Sequence, residues 1–341
     1  MQALHLVDPE LVPFVDSLPR LDFSFDNLAE IRRDADAMPP LHAPAGPPTS
    51  REERWIPGPD GAPPVRVLVY GPSDVSPGER VPAVLHLHGG GFVIWRPEID
   101  DARNRWIAGD LRCVVVSVDY RRPPETRFPG PLHDCHAALS WLHAQADELG
   151  IDRTRIAIKG ESAGAGLAAA VALLARDRGQ VPIAFQHLTY PMLDDRTGAA
   201  NGPVPVPGTG EFVWTASNNR FGWRSMLGHE PGEGEVSPLC APARAETLAG
   251  LPPTFLQVGS LDLFVAETLD FGTRLVHAGV PTELHVIPGA FHGADLIPGT
   301  RVEAAFARNA RDALRRAFER PSAPDGERAG RRWSSRSAES G

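Results

Sequence analysis

The residues Ile156-Ala157-Ile158-Lys159-Gly160-Glu161-Ser162-Ala163-Gly164 run from a short apolar stretch into Gly-x-Ser-x-Gly, and a small-residue helix from Leu167 to Val171 leads out. A serine at such a strand-to-helix bend is held in a strained conformation, with its hydroxyl lifted above the sheet edge. Glycines on either side let neighbouring backbone come close, where a Cβ would collide. The N-terminus of the following helix favours negative charge developing nearby. The chemistry this suits is attack of a serine oxygen on a carbonyl. With 33 glycines in the chain the pentapeptide alone is a weak signal, and its strand and helix flanks give it weight.

A nucleophilic serine needs a base and an acid that orients the base. The chain has 12 histidines, so position has to select. Where a serine stands on such an elbow, the partners follow it in the order acid, then histidine. Asp262 lies just after the β-rich run 254–258, and His292 just after the run 283–287. Their competitors are worse placed: Glu267, Asp270 and His277 fall inside a helical stretch, and His285 falls within a strand.

A third motif, His86-Leu87-His88-Gly89-Gly90-Gly91-Phe92, closes another strand. Its glycines free backbone N–H groups to point into a cavity. Two such donors with the N–H of Ala163 would hold an oxyanion. The two histidines share a strand face but supply no third metal ligand, so both are expected to be structural.

The elements that must position these groups alternate. Strands are predicted at Val65–Tyr70, Ala83–His88, Cys113–Val118, Ile156–Lys159, Phe185–Thr189, Thr254–Val258 and Glu283–Ile287, with helices at about 98–111, 132–149, 163–178, 265–278 and 300–318. Gly150, Gly179 and Gly279 are placed as left-handed helix caps. Such alternation predicts an α/β fold, a mostly parallel central sheet flanked by helices, with reactive groups on loops at the strands' carboxyl ends. Three candidate sites already end strands.

Residues 1–50 have a different texture. Asn27 and Glu30 read as a helix start, Leu28, Ile31, Ala35 and Met38 recur at helical spacing, and prolines from Pro39 to Pro48 form a linker. The Gly- and Pro-rich stretch Gly198–Gly210 and the aromatics after it look like an insertion over the site, about 192–235. The catalytic domain is expected over 51–320, and 321–341, poor in apolar residues, is expected to be a disordered tail.

Composition narrows the function. A net charge of −9 argues against a nucleic-acid partner, which would need a basic face. Lys159 is the only lysine and is followed by Gly-Glu, which excludes a Walker-type phosphate loop and a Ser-x-x-Lys pair. Cys113, Cys135 and Cys240 form neither a disulfide framework nor a metal cluster. With no signal peptide visible and no apolar stretch of spanning length, the cytoplasm is the expected compartment.

Taken together, the His-Gly-Gly-Gly loop (88–91), Asp119-Tyr120-Arg121 with Pro124-Glu125, the Gly-Glu-Ser-Ala-Gly elbow, Asp262-Leu263 and His292-Gly293 make the chain resemble the bacterial hormone-sensitive-lipase-like esterases, a family of α/β-hydrolases, over about residues 80–300. Two departures stand out: Arg122-Pro123 where Leu-Ala is usual, and Gly164-Ala165 where many members have Gly-Gly. The resemblance implies Ser162, Asp262 and His292 as catalytic triad, with Gly90, Gly91 and Ala163 as oxyanion donors. It also implies that residues 1–50 and 192–235 cap an acyl pocket.

The expected activity is hydrolysis of short- to medium-chain acyl esters through an acyl-enzyme, with no cofactor and no metal. The partner is a small-molecule ester, with neither nucleic acid nor stable membrane insertion; a homodimer is compatible with the sequence. Two alternatives use the same scaffold: a non-catalytic small-ligand receptor, and an amide or lactone hydrolase with the same triad. Trp95, Phe212, Trp214, Phe221 and Trp223 could line the acyl pocket or simply pack.

Overall fold

The computed structural model describes residues 2–76, 78–199 and 202–319; the expected disordered tail lies outside the described residues. Eight strands form one sheet: β1 (Thr49–Ile56), β2 (Val65–Pro72), β3 (Val81–Leu87), β4 (Val114–Asp119), β5 (Ile151–Glu161), β6 (Phe185–Thr189), β7 (Thr254–Gly259) and β8 (Thr282–Ile287). Their spatial order is β1-β2-β4-β3-β5-β6-β7-β8. From β4 to β8 all neighbours are parallel, and β2 joins β4 antiparallel, as β1 joins β2. This is the α/β-hydrolase fold.

Alternation within the buried strands feeds two cores. Val84, Val115 and Ala157 point to one face with Ile107 and Leu314, from helices α2 (Asp101–Asp110) and α7 (Arg301–Glu319). Leu85, Val116 and Ile158 point to the other, under α3 (Gly130–Ala144), α4 (Ala163–Arg178) and α6 (Val265–His277). Every residue of α4 from Ala163 to Ala175 is buried, and its small side chains let the helix lie close on the central strands. Gly179 ends α4 in the left-handed conformation, as expected of a C-terminal cap.

The helix start expected at Asn27 is present, and two local features lie outside the sequence reading. β1 was not foreseen: its Arg51-Glu52-Glu53-Arg54 run carries no apolar alternation, and only Ile56 is buried. It forms by pairing with β2 from Thr49↔Pro72 to Ile56↔Val65, a charged edge strand of the kind that resists further pairing. Asn27 precedes helix α1 (Leu28–Asp36) but does not cap it with its side chain, which instead accepts from Ser24 N (2.8 Å) and donates to the Asp22 carbonyl.

The N-terminal residues lie over the carboxyl ends of the strands. Asp8 N donates to the Gly289 carbonyl (3.1 Å), Leu41 N to that of Ile99 (2.8 Å), and Arg32 Nε to that of Val93 (2.7 Å). Helix α5 (Ala216–Leu227) meets them there: Phe23 stacks on Phe221 at 5.4 Å and meets Trp214 edge-on at 6.0 Å.

Candidate active site

Ser162 sits between β5 and α4 with φ 55° and ψ −120°, a conformation that a non-glycine residue holds only where its surroundings enforce it. Here two glycines make the enforcement sterically feasible. A Cβ on Gly160 would overlap the Gly164 carbonyl, and one on Gly164 would overlap the carbonyls of Leu87 and His88. The hydroxyl is thereby fixed beside the ends of β3 and β6, with Ser162 N donating to the Thr189 carbonyl (2.9 Å).

The three side chains selected from the sequence come together. His292 Nε2 lies 3.1 Å from Ser162 Oγ, and His292 Nδ1 lies 2.8 Å from Asp262 Oδ2. Asp262 is wholly buried, and its other oxygen accepts from Phe264 N (2.9 Å), which fixes the carboxylate plane. Phe264 meets the imidazole edge-on at 5.2 Å and Tyr190 at 4.6 Å, so the ring has little room to turn. The competitors stand elsewhere. Glu267 is buried against Leu193 N and Thr197, His285 pairs with Glu283, Asp270 with Arg274, and His277 is exposed at the end of α6.

Gly90 and Gly91 have φ of 100° and 57° and border the same cavity as Ser162. No backbone carbonyl accepts from Gly90, Gly91 or Ala163 among the described residues. Gly91 is also the point where the loop touches the covering segment, since a Cβ there would overlap the Trp214 ring. His88 supports the loop from below: it is stacked on Tyr120 at 4.3 Å, and the Tyr120 hydroxyl donates to its carbonyl (2.9 Å). Burial pushes the His88 imidazole down to about 4, so it is neutral.

The cavity above Ser162 has a volume of about 290 Å³ and a mostly apolar wall. Leu18, Leu21, Met38 and Leu41 come from the N-terminal segment, and Val213 and Trp214 from the stretch before α5. Of the five aromatics left open by the sequence, Trp95 and Trp214 line this cavity. Phe212 packs on Phe291, Phe221 on Phe23 and Trp223 on Phe92. Strain gathers here as well. Six described non-glycine residues have positive φ, and four of them (Trp95, Ser162, Tyr190, Val213) line the cavity. Such clustering is characteristic of functional sites.

Sequence reasoning read His86 as structural but missed the rest of the polar layer beneath the elbow. Register brings Ser117, His86, Lys159 and His187 side by side across four strands, all buried. Lys159 Nζ is paired with Glu161 Oε1, and His86 Nε2 lies 2.9 Å from Glu161 Oε2. Burial lowers Lys159 to about 8 and His86 to about 3. Ligand atoms of His86, Asp100 and Glu161 lie within 4.8 Å of one another. The lysine ammonium already occupies Glu161, so an internal cation stands where a metal would need charge. The signal that could have found this layer was the single lysine in a chain of arginines, one strand position before the elbow.

A family model described as the alpha/beta hydrolase fold matches residues 84–296. Esterase LipI of Mycobacterium tuberculosis (strain ATCC 25618 / H37Rv) is 34% identical over 292 residues, 84% of this chain and 87% of that protein. An arylesterase of Saccharolobus solfataricus is 30% identical over 296 residues, covering 84% and 91% respectively. The solved structure of a bacterial heroin esterase is similar with a TM-score of 0.85 at 40% identity, covering 93% of this chain and all of that one. No helix among the described residues is long and apolar enough to cross a membrane.

Proposed function

From the premise that this chain belongs to the α/β-hydrolase fold family, among the bacterial hormone-sensitive-lipase-like esterases, we propose that it is a serine carboxylesterase acting through Ser162, His292 and Asp262. The observation that carries the reading is the unbroken line from Ser162 Oγ through His292 to Asp262, at 3.1 and 2.8 Å, in a strained turn facing an apolar cavity.

In this reading Asp262 accepts the Nδ1 proton of His292 and keeps Nε2 free to take the Ser162 proton. The serine oxygen then attacks the ester carbonyl, and the resulting oxyanion accepts from the N–H groups of Gly90, Gly91 and Ala163. His292 returns its proton to the departing alcohol, leaving an acyl-enzyme. Water activated by the same imidazole releases the acid and restores the serine.

A cavity of about 290 Å³ is at the small end for ligand pockets, which supports short- to medium-chain acyl groups. Residues 1–50 and 192–235 act as the cap, a role supported by the seven apolar residues they contribute to the wall. A cytoplasmic location belongs to the same reading, since Cys113, Cys135 and Cys240 are all free and buried.

The test is turnover of short-chain aryl esters by the native enzyme and by Ser162→Ala, with labelling of the native serine by an organophosphonate. Loss of both turnover and labelling in the variant is expected. A variant that hydrolyses esters as fast as the native chain would end the proposal.

A further inference from the structure

The inner end of the cavity over Ser162 is charged, and its charges do not balance. Asp100, Arg103, Glu161 and Tyr190 line it, with Lys159 and Asp295 directly behind in a second cavity that shares Arg103 and Glu161. Each cation of the group has an acid of its own. Arg103 donates through Nη1 to Asp295 Oδ2 (3.1 Å) and through Nη2 to the Asp295 carbonyl (3.0 Å). Its Nε goes to the His42 carbonyl, and the Tyr190 hydroxyl completes Asp295 at 3.0 Å. Lys159 is committed to Glu161. His86 is neutral in its buried place: Nε2 faces Glu161, and Nδ1 lies 2.9 Å from Ser117 Oγ and 3.2 Å from Asn104 Nδ2.

Three carboxylates (Asp100, Glu161, Asp295) therefore meet two cations (Arg103, Lys159), and the acid left over is Asp100. It is 3% exposed, and no side chain or backbone N–H among the described residues donates a hydrogen bond to its carboxylate. The nearest basic contact, His86 Nε2 at 3.7 Å, is beyond hydrogen-bond reach. Asp100 precedes α2 without capping it, so the helix N-terminus makes the charge tolerable but does not satisfy it. A buried carboxylate left this way costs stability unless something else supplies the positive charge.

That something has to arrive through the cavity, because Asp100 faces the space that opens over Ser162. Trp95 and Trp214 line the same space, and an indole face attracts a cation once water is excluded. Resting on the serine-esterase reading, we propose that the site takes esters carrying a protonated or quaternary amine, with Asp100 as the counter-ion. The ester carbonyl lies at Ser162, the cationic group sits toward Asp100, and the apolar wall covers the rest of the substrate.

The experiment compares an acetate ester of a quaternary amino alcohol with its carbon isostere, in which the ammonium nitrogen is replaced by carbon. The native enzyme is expected to favour the charged ester in kcat/KM by roughly tenfold to a hundredfold, the worth of a hydrogen-bond-scale contact to a charge. In Asp100→Asn that ratio should fall toward one, and Asp100→Glu should recover part of it. Tetramethylammonium should inhibit the native enzyme competitively, a measurement that needs no variant to fold. A native preference for the neutral isostere, or a ratio unmoved in Asp100→Asn, would overturn the counter-ion role. An enzyme inactive on both esters is a different failure, that of the esterase reading itself.

Discussion

Around Ser162 backbone is packed on backbone, whereas the segments that line the cavity from residues 1–50 and 192–235 add rings and side-chain contacts to a few backbone hydrogen bonds. At the elbow, Gly160 lies against Gly164, Gly164 against the end of β3, and Gly166 against the Met192 carbonyl, with no space for a Cβ. Over the cavity, Phe23 stacks on Phe221, Phe25 tilts against Phe221 at 5.0 Å, and Arg32 reaches the exposed Glu125. A backbone contact cannot give way, so residue type at the elbow is dictated. A ring contact can shift by a rotamer or be refilled by a neighbour, so the covering segments tolerate change. On the proposed reading, Ser162 is placed by the rigid layer and substrate fit is left to the adaptable one.

The sharpest way to break that contrast is at the rigid layer. Asp262→Asn keeps the shape of the side chain but can donate to His292, favouring the wrong tautomer. Its kcat should fall by roughly 10⁴-fold with KM little changed, read by steady-state kinetics on an aryl ester. Gly164→Ala forces α4 away from the Leu87 and His88 carbonyls and carries Ser162 with it. A displacement of this kind costs on the order of 10²-fold in kcat/KM. Thermal melting of the same variant tells displacement from unfolding, and full activity there would show that the backbone contact can relax.

This contrast also explains which parts of the molecule were legible beforehand. Gly160, Gly164 and the glycines at 89–91 announce the elbow and loop because sterics leave few other residues able to stand there. Asp262 and His292 are legible from position, since each follows a β-rich run, buried and apolar at 254–258 and half-exposed at 283–287. β1 was invisible because an edge strand needs no apolar pattern, only a partner with free N–H and C=O groups. Asp100, Arg103 and Tyr190 were equally hidden. They come from the start of α2 with its preceding turn and from the end of β6, and neither charge nor periodicity reveals that these two distant segments meet beside one serine. The five aromatics could not be sorted, because wall and packing demand the same residue type.

The adaptable layer should answer mutation with a smaller and different effect. Phe23→Ala removes a stacked ring that braces α5 and Trp214 over the cavity but touches none of the three reacting side chains. A ring pair of this kind contributes about 0.5–1.5 kcal/mol beyond its area, so KM should rise roughly twofold to tenfold on longer acyl esters. On acetate esters kcat should stay near the native value, the pattern of weakened uniform binding. A kcat loss as large as that of Gly164→Ala would mean that the covering segment also places the nucleophile.

Acidity separates the two layers more gently. His86 and His88 belong to the rigid layer, and burial holds them at about 3 and 4. An unfolded histidine takes up a proton near pH 6.5, whereas these two refuse it while folded. The unfolded state then binds more protons, so stability falls as pH drops below about 6.5 and keeps falling until the folded values are reached. One unit below 6.5 each contributes roughly 1.4 kcal/mol of loss, and together they should lower Tm by several degrees between pH 7 and pH 5.5. His88→Phe keeps a ring for Tyr120 to stack on but cannot titrate, so its melting temperature should depend less steeply on pH in that window. An identical slope in the variant would assign the acid sensitivity to other groups, and the layer beneath the 88–91 loop would then be held by packing alone.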